Sequence, residues 1–267
     1  MATEDRSILA RASSAAPVTV AYGEHPEQVA EIWSSDPEAP LVVVLHGGFW
    51  KQQYDRSHCR GLALALTALG ATTVLLEYRR VGGGGGWPTT FDDVRVGLRK
   101  IVQHHPRAAR RIVIGHSAGG HLALWAAATE PLPVVDAVIG LAPIADLTAM
   151  ARVFERTADG KIDENPVVDL MGGTPDDRPD RYDLADPVRL PSFSSSVRLL
   201  HGARDTVVPL ELSSSYAAKH QGVTLSELSC GHFELIDPRS VMFSHVQDAV
   251  VAELPDVASG VRRSRPW

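Results

Sequence analysis

Residues 111–120 read RIVIGHSAGG, and they place a serine between a predicted strand and a predicted helix. The apolar, β-branched run at 111–114 is typical of a strand that is buried on both faces. Residues 122–128 continue as a helical segment. Between them, residues 115–119 match G-x-S-x-G, which in a strand–turn–helix setting predicts a nucleophile elbow with Ser117 exposed at the end of the strand. A tight turn with an incidental serine is the alternative interpretation.

Strand-like and helical patterns alternate along the rest of the chain. Short apolar runs bounded by turn residues predict strands, and longer runs with helical periodicity predict helices. The other predicted strands are 18–22, 28–33, 41–45, 72–77, 134–141, 197–200 and 223–228, and the other predicted helices are 60–69, 91–104, 213–220 and 240–254. This alternation predicts an α/β fold, with a mostly parallel, twisted sheet and helices on both of its faces.

We expect residues 1–267 to form a single domain, because neither a repeat nor a linker divides them. Residues 1–16 are expected to be a poorly ordered or loosely helical lead-in. Residues 145–191 break the alternation and are rich in Gly, Pro and Asp, so we predict a small cap or lid inserted above the strand ends. A plain surface excursion is the alternative for this segment.

The composition argues against several classes of protein. Lys and Arg total 26 against 32 Asp and Glu, a formal charge of −6, so no basic surface for nucleic acid is expected. No apolar run approaches the ~20 residues of a membrane span, and the first 17 residues lack the apolar core of a secretory signal. Two cysteines, Cys59 and Cys230, make no disulfide framework and favour a cytoplasmic protein. Neither HxxxH nor CxxC spacing occurs, so we expect no metal and no cofactor.

A serine nucleophile needs a general base, and the expected order along the chain is serine, acid, histidine. Of the 11 histidines, His232 fits this order because it lies in a Gly-flanked loop between the last predicted strand and the last predicted helix. Asp205 follows the predicted strand 197–200 and is the candidate acid, which would accept the Nδ1 proton of the histidine. Asp237 and Asp146 are the rival acids.

The tetrahedral intermediate of acyl transfer needs N–H donors for its oxyanion. Ala118, which follows the nucleophile, is expected to supply one backbone N–H. Gly48 and Phe49 are expected to supply others, because they lie in the loop HGGFW after the predicted strand 41–45. The candidates for the substrate pocket are His46, Trp50 and His116. His46 is expected mainly to brace the loop, and burial in the core is the alternative for Trp50.

These motifs together resemble the α/β-hydrolase superfamily over residues 18–254. The loop HGGFW at 46–50 resembles the HGG-[FY]-W oxyanion loop of the kynurenine formamidase (arylformamidase) and esterase branch. Further similarities to that branch are EYRR at 77–80, WP at 87–88, RY at 181–182 and ADP at 185–187. The resemblance implies a catalytic triad of Ser117, Asp205 and His232.

The expected function is cofactor-independent hydrolysis through an acyl-enzyme. Ser117 would attack an acyl carbonyl, and His232 would take its proton. The expected partner is a small to medium ester or amide, with an N-formyl aryl amide such as N-formylkynurenine as one candidate, and neither nucleic acid nor a membrane. A homodimer is left open. The alternatives are a thioesterase, a peptidase, or a non-hydrolytic binding or scaffold protein on the same fold.

Overall fold

The computed structural model describes residues 4–10, 16–33, 36–129, 135–157 and 164–254. The strands are β1 (Val18–Ala21), β2 (Val29–Trp33), β3 (Leu41–Leu45), β4 (Thr72–Leu76), β5 (Arg111–His116), β6 (Ala137–Leu141), β7 (Ser196–Gly202) and β8 (Val223–Leu228). The α-helices are α1 (Arg60–Thr67), α2 (Thr89–His104), α3 (Ala118–Thr129), α4 (Leu147–Thr157), α5 (Pro166–Met171), α6 (Pro179–Ala185), α7 (Leu210–Lys219) and α8 (Phe243–Val251). Short 3-10 helices span Ser7–Ala10, Arg56–Cys59 and Pro187–Arg189. None of the helices within these ranges has the length and apolar character that crossing a bilayer requires.

The described strands form one sheet in the order β1-β2-β4-β3-β5-β6-β7-β8. The pairs β1–β2 and β2–β4 are antiparallel, whereas all neighbours from β4 to β8 run parallel. At the centre of the sheet, Val43 of β3 pairs with Val74 of β4 and with Val113 of β5. The prediction of an α/β fold with a mostly parallel sheet is therefore confirmed.

Strand β3 shows why the central strands have continuous apolar sequences. All five of its residues are buried. Val43 and Leu45 pack in one hydrophobic cluster with residues of α2 and α3, whereas Val42 and Val44 pack in a second cluster with residues of α1 and α8. Successive side chains of a strand point to opposite faces, so a strand covered by helices on both sides needs apolar residues at every position.

Most predicted elements occur, with boundaries that differ by a few residues. Strand β5 extends to His116, two residues beyond its predicted end. Helix α8 begins at Phe243 instead of residue 240, because the preceding residues form turns in which the N–H of Ser240 donates to the carbonyl of Asp237. The predicted start of the strand at residue 134 lies outside the described residues.

Helices α4 to α6 occupy the segment 145–191 that was predicted to form a cap, and its residues 158–163 lie outside the described ranges. The segment packs against α3 through two buried donors. Trp125 Nε1 donates to the carbonyl of Leu184 at 3.0 Å, and His121 Nε2 donates to the carbonyl of Ala185 at 3.0 Å. The described part of this segment is thus largely helical, and its role as a lid stays a prediction.

Candidate active site

Ser117 forms the turn between β5 and α3 and has a φ of 55°, a left-handed conformation that is costly for a residue with a side chain. Two glycines permit this turn. A Cβ at Gly115 would overlap the carbonyl of Gly119, and a Cβ at Gly119 would overlap the carbonyl of Leu45. The close approach of α3 to β3 puts the Ser117 side chain beside Gly47, at the carboxyl end of the sheet.

The structure brings His232 and Asp205 together from two different loops. His232 Nδ1 lies 2.7 Å from Asp205 Oδ2, and Asp205 Oδ1 accepts the N–H groups of Val207 and Val208 at 2.8 Å each. Burial by itself would raise the pKa of Asp205, but hydrogen bonds from His201 and His232 hold that pKa well below its usual range. Asp205 is therefore ionised and accepts the Nδ1 proton, which leaves Nε2 of His232 free to act as a base.

The two rival acids lie elsewhere and make local contacts. Asp237 Oδ1 accepts the backbone N–H of Arg239 at 3.0 Å, and Asp146 Oδ1 accepts the N–H of Ala149 at 2.7 Å at the start of α4. Of the three candidate acids, it is Asp205 whose carboxylate bonds to His232.

A second histidine on Asp205 was not singled out from the sequence. His201 Nε2 donates to the carbonyl of Val208 at 2.9 Å and lies 3.4 Å from Asp205 Oδ2, and its Nδ1 faces the Ser213 hydroxyl at 2.8 Å. The signal in the sequence is its position near the end of β7, four residues before the acid. Its contacts hold the loop that carries Asp205 against the start of α7.

His116 contacts the candidate base, His232, through its backbone and its ring. Its Nε2 donates to the carbonyl of His232 at 3.1 Å, and the centroids of the two rings are 4.5 Å apart. Burial and the nearby His232 lower the pKa of His116 well below the usual value, so its imidazole is neutral at physiological pH. His116 also lines the cavity at Ser117, as expected for a pocket candidate.

The proposed oxyanion donors lie around the nucleophile. Gly48, Phe49 and Trp50 have φ values of 109°, 51° and 54°, so the loop after β3 makes a run of left-handed residues. Gly48 and Phe49 line the same cavity as Ser117. Ala118 is the first residue of α3, a position whose N–H has no acceptor within the helix.

Two residues expected as pocket candidates lie away from the cavity. His46 is fully buried, with Nδ1 2.8 Å from the carbonyl of Gly47 and Nε2 2.7 Å from Glu77 Oε1. Trp50 is also fully buried, with its ring 5.2 Å from that of His121 in an edge-on arrangement. Both side chains turn into the protein, where His46 braces the loop and Trp50 fills the core, and neither lines this cavity.

The cavity beside Ser117 is small, with a volume of about 50 Å³ against the ~300–1,000 Å³ usual for small-molecule sites. Its walls are mostly apolar or aromatic, with a few polar groups. Besides Gly48, Phe49, Ser117, His116 and His232, the lining residues are Arg6, Leu9, Tyr54, His58, Val207 and Phe233. The described part of the predicted cap contributes none of them, whereas the leading residues of the chain contribute two.

Neither cysteine is suited to act as a nucleophile. Burial raises the pKa of Cys230 to about 11 and that of Cys59 to about 12, so both are protonated at neutral pH. Among the described residues, no group of three or more His, Cys, Asp or Glu side chains is arranged to hold a metal ion.

The sequence matches the family model BD-FAE over residues 33–220. It is 31% identical over 114 residues to a kynurenine formamidase of Danio rerio, a match that covers 42% of this chain and 38% of that protein. It is 27% identical over 242 residues to the esterase LipC of Mycobacterium tuberculosis, which covers 82% of this chain and 60% of that protein. The matches thus span less than two thirds of either relative.

Solved structures share the fold at low sequence identity. A truncated carbohydrate esterase from gut microbiota superposes with a TM-score of 0.74 and 18% identity, over 88% of this chain and 96% of that one. An esterase B of Lactobacillus rhamnosis, inhibited by a tributyrin phosphonate, superposes with a TM-score of 0.71 and 17% identity, over 93% and 90% of the two chains. At such identities the likeness establishes the fold alone.

Proposed function

The chain belongs to the BD-FAE family, in the esterase and formamidase branch of the α/β-hydrolases, and from this premise we propose that it is a serine hydrolase. Its substrate in this proposal is a small to medium ester or amide, which it cleaves through an acyl-enzyme. The observation that carries the proposal is the 2.7 Å contact between His232 Nδ1 and Asp205 Oδ2, in a cavity that the left-handed Ser117 also lines.

In the proposed mechanism, Ser117 Oγ attacks the carbonyl carbon while His232 Nε2 takes its proton. The histidine then gives this proton to the leaving alcohol or amine as the C–O or C–N bond breaks. Water attacks the acyl-enzyme, again giving a proton to His232, and the acid leaves as Ser117 is restored. Asp205 stays ionised throughout and stabilises the imidazolium that forms twice in each cycle.

The negative charge on the carbonyl oxygen needs donors that are already in place. We assign this role to the backbone N–H groups of Ala118, Gly48 and Phe49. Each such donor is worth ~2.7–4 kcal/mol of transition-state stabilisation in hydrolases of this kind. The position of Ala118 at the start of α3, where an N–H has no acceptor within the helix, and the left-handed loop after β3 support the assignment.

Labelling by a fluorophosphonate tests the nucleophile. We expect one covalent adduct per chain, located on the peptide that contains Ser117, and no adduct in Ser117→Ala. Ser117→Ala should retain the melting temperature of the parent protein, because it removes one oxygen without changing the turn. A protein that is folded but resists the probe and cleaves no ester would exclude the serine hydrolase.

Two substrate classes are supported by the relatives. Esterase LipC favours a carboxylic ester, and the formamidase of Danio rerio favours an N-formyl aryl amide. Turnover of N-formylkynurenine and of short 4-nitrophenyl esters, measured on the same preparation, separates the two. Brisk ester cleavage with negligible formamide turnover would reject the formamidase.

A further inference from the structure

The leading segment, residues 4–10, reaches the candidate active site from the opposite end of the sequence. Its 3-10 turn Ser7–Ala10 is anchored by Ile8, which is 4% exposed and belongs to the hydrophobic cluster between the sheet, α1 and α8. Arg6 and Leu9 of the same segment line the cavity at Ser117. The mechanism above makes no use of this segment.

The carboxylate of Glu4 joins two catalytic loops. Its Oε2 accepts the backbone N–H of His232 at 3.0 Å, across 228 residues of sequence. Its Oε1 accepts the backbone N–H of Thr206 at 3.1 Å, with the Thr206 hydroxyl at 3.4 Å. Thr206 directly follows Asp205, so one carboxylate bonds to the backbone of both the acid loop and the histidine loop.

His232 is consequently held at three points by three different side chains. Glu4 accepts its N–H, His116 donates to its carbonyl, and Asp205 accepts its Nδ1 proton. The first two contacts fix the peptide groups on either side of the Cα atom, and the third fixes the rotation of the ring. Loss of the first would leave the imidazole tied to its acid while the backbone behind it could move.

Gly231 gives Glu4 the space to make this contact. A Cβ at position 231 would overlap the carboxylate oxygens of Glu4. Any larger residue at position 231 would therefore push the carboxylate away from the N–H of His232.

We propose that Glu4 is a positioning residue for the hydrolysis, because its carboxylate ties the loop of Asp205 to the loop of His232. This inference rests on the proposed function. In this role Glu4 fixes the position of His232 relative to Ser117, whereas the cavity walls bind the substrate.

Glu4→Gln tests the proposal with a side chain of equal size. An amide has one acceptor oxygen, so its NH2 group must face one of the two backbone N–H groups that the carboxylate accepts. We expect kcat for a 4-nitrophenyl ester to fall roughly tenfold, as for the loss of a hydrogen bond to a charged group, with KM within twofold of the parent. The matched control is Glu24→Gln, since Glu24 is exposed in the turn between β1 and β2 and should give the parent values.

A double-mutant cycle with Glu4→Ala and Gly231→Ala separates positioning from general damage. Each single variant should lower kcat, but Gly231→Ala should cost little in the Glu4→Ala background, where the methyl group meets no carboxylate. The proposal would be overturned if the two losses in kcat simply multiplied in the double variant. It would also be overturned if kcat were unchanged in Glu4→Gln. If Glu4→Gln instead raised KM and lowered the melting temperature while kcat stayed unchanged, the contact would be purely structural and the proposal would also be overturned.

Amide hydrogen exchange gives a readout that does not depend on activity. In the Ser117→Ala background, Glu4→Gln should speed exchange at the His232 and Thr206 amides while the amides of β3 and β5 keep their protection. Unchanged exchange at His232 would reject the contact even if the protein proves to be a hydrolase. Faster exchange at the two amides, combined with a parent protein (Ser117 intact) that cleaves no ester, would instead show that the contact is real and that the proposed function has failed.

Discussion

Asp205 combines two tasks in one carboxylate. One oxygen accepts two N–H groups of its own loop, and the other accepts the Nδ1 proton of His232. In Asp205→Asn the oxygen is expected to keep the two backbone donors, so the amide NH2 faces Nδ1 and forces the wrong tautomer of the histidine. We expect kcat to fall by roughly 10⁴, the loss typical of this change in a Ser-His-Asp triad.

Steady-state turnover of a 4-nitrophenyl ester measures this loss, and Asp237→Asn is its control. Asp237 was a rival acid in the sequence, and its Oδ1 accepts the N–H of Arg239. A change of less than twofold is expected for the control. Equal losses in the two variants would show that the base is oriented by something other than Asp205.

Single residues also show which parts of the site could be predicted from the sequence and which could not. Asp205 and His232 could be chosen because both follow strands and the order along the chain is restrictive. His46 and Trp50 were assigned to the pocket through their neighbours in the loop, but both are fully buried, the first against Glu77 and the second against the ring of His121. Glu4 could not be found, because its contact spans 228 residues and depends on how the leading segment folds back.

At the scale of elements, the crossing of α3 over β3 depends on the absence of one side chain. A Cβ at Gly119 would overlap the carbonyls of Leu45 and His46, which belong to the backbone and cannot move aside. We expect Gly119→Ala to destabilise the protein by roughly 3 kcal/mol or more, the upper range for overpacking. Chemical denaturation monitored by tryptophan fluorescence measures the loss.

Gly61→Ala is a matched control for that substitution. Gly61 lies in α1, and the nearest atom to an added Cβ belongs to Pro238 at 3.6 Å, an ordinary van der Waals distance. Alanine should therefore stabilise the protein by up to about 1 kcal/mol through its higher helix propensity. If neither substitution changed the free energy of unfolding, α3 would not approach β3 as closely as the structure shows.

Elements were predicted to the extent that local sequence determines them. The central strands were found because burial on both faces leaves an uninterrupted apolar run, as in Leu41–Leu45. Helix ends were less certain, since the turn at Asp237 and Ser240 shortens α8 through hydrogen bonds that have no strong signature in composition. The resemblance to the esterase and formamidase branch, inferred from short motifs, is confirmed by the family match over residues 33–220.

For the molecule as a whole, a buried cluster of charges connects the sheet to the loop that follows β3. Glu77, 1% exposed, follows β4 and accepts from His46 Nε2 at 2.7 Å and from Arg56 at 3.2 Å, and it forms an ion pair with Arg80 at 3.1 Å. Glu31 of β2 pairs with Arg56 at 2.8 Å, which extends the cluster to the antiparallel edge. The same buried side chains therefore support both the sheet and the loop after β3, which lines the candidate active site.

Burial by itself would raise the pKa of Glu77, but the charges and hydrogen bonds of His46 and Arg80 lower it from 4.5 to about 2. A carboxyl group with a lowered pKa in the folded state stabilises the protein above pH 4.5, and that contribution disappears as the pH falls from 4.5 towards 2. In Glu77→Gln it is absent at every pH, and positive partners are left buried without their counter-charge. We therefore expect a loss of roughly 3–5 kcal/mol at pH 7.

Urea denaturation of Glu77→Gln and of the parent, carried out at several pH values between 7 and 3, tests both the size and the sign of this effect. The difference in unfolding free energy should be largest above about pH 5 and should shrink as the medium becomes more acidic, because protonation removes the same charge from the parent. Glu24→Gln, at an exposed position, should show no difference across the range. A difference that stays constant down to pH 3 would mean that Glu77 acts through its shape alone and that its charge stabilises neither the fold nor the loop beside Ser117.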